Sequence, residues 1–133
     1  KLIEKSGKDI LLIGNGDVVD IEDGKKKCEK YGCDGVMIGR GVFGNPWFFS
    51  ETNVDFSSST FLSDKLKVMV EHTKIFDKKL SEPKHKSFDV MKKHFKAYVN
   101  GFEGAKELRM KLMETENASQ VEKIINDFLK KIE

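Results

Sequence analysis

Ile13-Gly14-Asn15-Gly16-Asp17 and, further along, Met37-Ile38-Gly39-Arg40-Gly41 are two apolar runs that each stop in a glycine-rich polar turn. Asp9 to Ile13 reads as a short, fully buried strand, and Gly35 to Ile38 as a second. The charged segment between them, Asp20 to Tyr31, suits a helix. Strand, helix, strand in that order implies two parallel strands joined by a right-handed crossover. Both turns then lie at the carboxyl ends of neighbouring strands, the edge at which α/β folds bind ligands.

The chemistry of the turns suits phosphate. Glycines at 14, 16, 39 and 41 allow backbone N–H groups to approach a ligand closely. Successive N–H groups form a concave anion site, and a following helix start adds positive potential. Arg40 offers a charged fork that matches phosphate oxygens. Asn15 and Asp17 can brace their turn by side-chain bonds to the backbone. The candidate cofactor-binding residues are therefore Asn15, Gly16, Asp17, Gly39 and Arg40. The plainer alternative is two ordinary strand-ending turns with Arg40 solvated.

With 133 residues the chain can form one domain or two small ones. Its 24 Lys and Arg against 22 Asp and Glu nearly balance. Residues 61–133 hold 16 of the basic and 12 of the acidic side chains, so the excess of positive charge lies there. That is a mild pointer to a polyanionic partner. Cys28 and Cys33 have no second Cys or His pair to complete a zinc site, and they read as structural thiols in a reducing compartment. His72, His85 and His94 lack metal-ligand spacing, so no metal is expected. No signal peptide or apolar run of spanning length is visible, and the expectation is a soluble, cytoplasmic protein without a membrane partner. The opening stretch Lys1 to Ser6 looks helical and runs directly into a buried strand. Two strands cannot cover both their faces alone, so the reading is the C-terminal part of a longer protein, with a sheet edge open to association.

After Thr60 the apolar period becomes helical. Ser63 or Asp64 is a possible cap for a helix with Leu66, Met69, Val70, Thr73, Phe76 and Leu80 in its stripe, broken at Ser81-Glu82-Pro83. A second helix runs from about Ser87 to Val99, with Phe88, Met91, Phe95, Tyr98 and Val99 on one face, and Asn100-Gly101 ends it. Gly104 opens a third, with Leu108 and Leu112 inward and Lys106 and Arg109 outward. Asn117 or Ser119 caps a fourth, striped by Val121, Ile124, Ile125, Phe128 and Leu129. Residues 1–50 thus form the α/β part, 51–62 a linker, and 63–133 a small all-α helical bundle. Lys92, Lys93, His94, Lys96, Lys106 and Arg109 are candidates for one RNA-binding surface.

Together these motifs resemble the C-terminal portion of the tRNA-dihydrouridine synthases. The resemblance is carried by Ile13 to Asp17, by Gly32 to Gly41, and by Gly44-Asn45-Pro46-Trp47-Phe48-Phe49. In the helical half it rests on Lys93-His94, Tyr98, Gly101, Gly104-Ala105 and Glu107-Leu108-Arg109. It implies the last two strand–helix units of a flavin-binding (β/α)8 TIM barrel, followed by a helical tRNA-binding domain. It also implies an oxidoreductase that uses FMN, with NADPH as reductant, to reduce uridine to dihydrouridine in tRNA. Asn15, Gly16 and Asp17 would line one side of the FMN phosphate, and Gly39 and Arg40 the other. The family's catalytic cysteine belongs to an earlier barrel loop, and neither Cys28 nor Cys33 matches its motif. No catalytic residue is therefore assigned in this chain, which alone is expected to be inactive. Lys92 stands where members commonly carry Arg. The competing readings are a stand-alone RNA-binding helical module and part of another FMN- or sugar-phosphate-binding barrel.

Overall fold

The computed structural model describes residues 7, 9–50, 58–81 and 86–132. The chain divides into two compact units, 1–42 and 43–133. The expected helix at Lys1 to Ser6 and most of the expected linker lie outside the described residues.

The first unit is the expected strand–helix–strand. Strand β1 (Ile13–Asn15) pairs in parallel with β2 (Gly35–Met37), with Ile13 opposite Gly35, Gly14 opposite Val36 and Asn15 opposite Met37. The pairing extends one step back. Asp34 N–H donates to Leu12 O at 2.9 Å, and Leu12 N–H donates to Asp34 Oδ2 at 2.7 Å. Helix α1 (Ile21–Tyr31) starts where its sequence says it should: the Asp20 carboxylate accepts from Asp23 N–H at 2.7 Å, an N-cap with acidic residues in the first turn. Val18 and Gly24 are the buried residues on this crossover.

One expectation is corrected. The first strand begins at Ile13 rather than Asp9 and is not buried: Leu11 is 76% and Ile13 56% exposed. Alternation or apolar character marks a side chain as able to be covered. What covers it must come from packed neighbours, and α1 covers only part of a two-stranded sheet.

Among its described residues the second unit holds four α-helices: α2 (Ser59–Phe76), α3 (Val90–Tyr98), α4 (Ala105–Met113) and α5 (Ala118–Ile132). The α2 cap is Ser58, whose Oγ accepts from Phe61 N–H at 3.1 Å, so the helix starts ahead of the expected Ser63 or Asp64. It then widens into a π-turn over Asp77–Ser81, which leaves Leu80 exposed rather than in the stripe. Asp77 makes use of that turn: its carboxylate accepts from Ala118 N–H at 2.9 Å and so caps α5, which runs antiparallel to α2. Lys74 and Glu122 join the same two helices at 2.6 Å. Asn117 Oδ1 completes the α5 cap with Gln120 N–H at 3.0 Å. The α3 helix starts at Val90, after a turn in which Ser87 Oγ accepts from Asp89 N–H at 3.2 Å.

The core of this unit is built from the stripes expected of the sequence. Leu66, Met69 and Thr73 of α2, Met91 and Phe95 of α3, Leu112 of α4, and Val121 and Ile125 of α5 are all fully buried. Each large apolar side chain so placed contributes about 1.5–3 kcal/mol of transfer free energy. The Thr73 hydroxyl, buried with them, donates to Met69 O at 2.8 Å and so adds no unpaired polar atom.

Residues 43–50 belong with the helices, not with the strands as the sequence suggested. The Phe43 ring lies 5.0 Å from His94, and Trp47 lies 5.1 Å from Phe61. Gly44, at φ +72°, passes so close to α3 that a Cβ built there would sit 2.0 Å from Ala97 O. No side chain fits in that contact, and the positive φ adds strain to any replacement. Gly44→Ala should cost on the order of 2–4 kcal/mol, read as a lower urea midpoint of the helical unit. An unchanged midpoint would show that the loop does not dock on α3.

Candidate functional site

In the first unit, Asn15, Gly16 and Asp17 from the turn after β1, and Gly39, Arg40 and Gly41 from the turn after β2, line one cleft of about 700 Å³. All five of the expected cofactor-site residues are thus brought together. The parallel register is the reason, because it places Asn15 beside Met37 and so both strand ends at one edge.

The first turn is held by charges. Asp17 sits at φ +39°, in the left-handed region that Asp tolerates better than most residues. Lys27 Nζ, reaching back from α1, donates to Asp17 O at 2.9 Å and to the Asp23 carboxylate at 2.7 Å. Asp23 also accepts from Val19 N–H at 3.1 Å. The Lys27 bond and then the Val19 N–H hold the Asp23 carboxyl below its ordinary range. Neither Lys27 nor Asp23 was singled out from sequence, although Asp23 stands three residues after the capping Asp20, the spacing of a reciprocal cap.

Arg40 opens a short 3-10 turn (Arg40–Val42), whose first N–H groups have no partner within the turn. Its guanidinium meets Asp17 Oδ1 at 2.5 Å. Both side chains are 82% exposed, so the pair stabilises the fold by at most about 1 kcal/mol. An arriving phosphate can therefore share or take the guanidinium at little cost. The cleft thus presents one exposed guanidinium beside two glycine-rich turns. Cβ atoms at Gly16 or Gly39 would meet nothing within 4 Å, so the cleft floor stays open at both turns.

The expected RNA-binding residues all fall on α3 and α4 of the second unit, in different situations. Lys93, Lys96 and Lys106 are exposed. Lys92 is paired with Asp89 at 2.5 Å, which holds that carboxyl below its usual range. Arg109 is not simply outward: it is half-buried and donates to the carbonyl of Val99, the residue that closes α3, at 2.9 Å. His94 is set among rings, 5.0 Å from Phe43 and 5.1 Å from His72, with Lys93 Nζ 5.9 Å from the Phe43 centroid. Tyr98 OH lies 3.4 Å from His72 Nδ1. The sequence reading missed Phe43 and His72; no periodicity marks a loop residue or a lone helical histidine that faces another helix.

This ring cluster responds to pH in a definite direction. Burial lowers the pKa of both His72 and His94 below 6.5, and at His94 the charges of His72 and Lys93 add to it. The unfolded chain then binds protons more readily than the folded one. Stability is complete above the ordinary imidazole pKa and falls as pH drops through it. The carboxylates held below 3.8, Asp23 and Asp89, act only at lower pH. The urea midpoint of the helical unit should therefore be lower at about pH 5.5 than at about pH 7.5, and a His72→Asn, His94→Asn double variant should narrow the gap. A midpoint equal at both values would contradict it.

The comparisons with known proteins agree over the whole chain. The family model described as Dihydrouridine synthase (Dus) matches residues 1–133. The "Probable tRNA-dihydrouridine synthase 2" of Bacillus subtilis (strain 168) is 37% identical over 131 residues, 98% of this chain and 39% of that protein. The "Probable tRNA-dihydrouridine synthase" of Staphylococcus aureus (strain N315) is 38% identical over 118 residues, 89% of this chain and 34% of that protein. Its counterpart in Staphylococcus epidermidis (strain ATCC 12228) is 36% identical over the same length. The chain spans less than two-fifths of the length of these relatives. Among the described residues, no helix is long and apolar enough to cross a membrane, and no group of three or more metal-ligating side chains occurs. A family model that matches from the first residue to the last places this chain in the dihydrouridine synthase family.

Proposed function

We propose that this chain is the part of a tRNA-dihydrouridine synthase that holds the FMN phosphate and docks the tRNA. The reading is supported most by one observation: the turns after β1 and β2 open into a single cleft with Arg40 at its rim, in a chain of this family. In it, backbone N–H groups of Gly16 and of the turn at Gly39 to Gly41 receive the phosphate oxygens, and Arg40 closes on them as a charged fork. Asp17 serves as the anchor of Arg40, since a carboxylate facing the phosphate itself would repel it. Asn15 sits at the strand end and directs the turn. These residues bind and orient; they move no proton. FMN, when bound, supplies the two-electron chemistry that reduces the uracil C5–C6 double bond, with NADPH as the reductant. The two strands belong, in this reading, to the end of a (β/α)8 barrel, whose remaining strands would cover Leu11 and Ile13.

The helical unit binds the tRNA backbone through the exposed Lys93, Lys96 and Lys106. Arg109 and His94 act by holding α3, α4 and the Phe43 loop in place. Lys92, already paired with Asp89, contributes less. Titration of the chain with unmodified tRNA should give an affinity that falls steeply with salt, because each lysine contact releases counterions. A Lys93→Ala, Lys96→Ala, Lys106→Ala variant should bind on the order of tenfold or more weakly and with a shallower salt dependence. Binding indifferent to salt, or unchanged in the variant, would rule out this surface.

A further inference from the structure

Cys28 and Cys33 were expected to be inert structural thiols. Their placement at the end of α1 says more. Gly32 closes that helix in the left-handed conformation, at φ +62° and ψ +43°, and its N–H bonds to Cys28 O. Cys33 N–H bonds to the same carbonyl at 3.2 Å. A bond from the second residue past the helix end to the carbonyl five residues back is the Schellman closure. In that closure the side chains at its two ends are brought against each other. Here those two side chains are both cysteines. The two side chains thus stand at the two ends of one helix closure, and both are free and only partly buried. A Cβ built at Gly14 would be 3.2 Å from Cys33 Sγ, so Cys33 lies against the β1 strand.

We propose that Cys28 and Cys33 are a vicinal dithiol that closes into an intramolecular disulfide in the folded protein, a modification site for two-electron thiol oxidants. The step balances with a peroxide. One thiolate attacks the peroxide O–O bond and becomes a sulfenic acid, and one water leaves. The second thiol then attacks that sulfur, the S–S bond forms, and a second water leaves. The two thiols lose two protons and two electrons, and hydrogen peroxide takes both. A small-molecule disulfide does the same by exchange through a mixed disulfide. Closure needs no new long-range contact, because the helix cap has already placed the two ends together. Burial holds the Cys28 thiol above its ordinary range, as do the neighbouring Cys33 and the nearby carboxylates.

The test uses the whole chain, folded, treated with hydrogen peroxide or with oxidised glutathione and then alkylated with a maleimide for intact mass. The untreated chain should take up two maleimides and the treated chain none, with a mass lower by two hydrogens and a Cys28–Cys33 linked peptide on non-reducing mapping. Reductant should restore both thiols. Cys28→Ser and Cys33→Ser variants should instead give glutathione adducts or dimers. The proposal is overturned if the folded chain stays doubly alkylated, stops at mixed disulfides, or closes only in urea. The last outcome would mean that the cap holds the thiols apart.

Discussion

The parallel pairing of Ile13, Gly14 and Asn15 with Gly35, Val36 and Met37 is the constraint on which the candidate site depends. Each strand is only three residues long. Antiparallel pairing would place the two turns at opposite ends. A register slip of one residue would turn Asn15 and Met37 to other faces. Only the observed pairing puts Asp17 within reach of Arg40 and both glycine turns around one cleft. The crossover helix secures it: Asp20 caps its start, Gly32 its end, and Lys27 reaches from its middle to fix Asp17 O. The helix is therefore both the connection that makes the strands parallel and the brace of the first turn.

The helical unit rests on a different kind of constraint, the close approach of Gly44 to the Ala97 carbonyl. That contact draws in residues 43–50 as a packed loop, and with it the Phe43 ring against His94 and Trp47 against Phe61. Beyond it, polar side chains stitch helix to helix at their ends: Asp77 caps α5, and Arg109 donates to Val99 O at the end of α3. The basic face of α3 and α4 is thus held on a framework that spends one of its own cations, Arg109, on structure. The charge presented to solvent comes mainly from Lys93, Lys96 and Lys106.

Much of this was legible in the sequence because it is written in local terms. The apolar stripes of α2 to α5, the glycine turns and the parallel order of strand and helix each follow from spacing within a dozen or so residues. Family membership, too, could be read from the MIGRG and GNPW runs and their helical counterpart, and the family model matches the whole chain. What could not be read is what depends on contacts remote in sequence. Nothing local says that Asp9 to Leu11 lies outside the pairing, with Ile10 and Leu11 exposed. Nothing local assigns the GNPW loop to the helices, marks Ser58 over Ser63 as the α2 cap, or turns Arg109 toward Val99. The dithiol was visible as a C-x4-C spacing, but its meaning rests on Gly32 closing the helix between the two cysteines.

The central claim is that two turns, separated in sequence and joined by parallel pairing, act together on one phosphate. The most direct measurement follows backbone amide shifts of the isotopically labelled chain during titration with FMN and, in parallel, with riboflavin, which lacks the phosphate. The account predicts that FMN, and not riboflavin, shifts Gly16 and Asp17 together with Gly39, Arg40 and Gly41, along a single saturation curve. Shifts confined to one turn, or the same shifts with riboflavin, would contradict it.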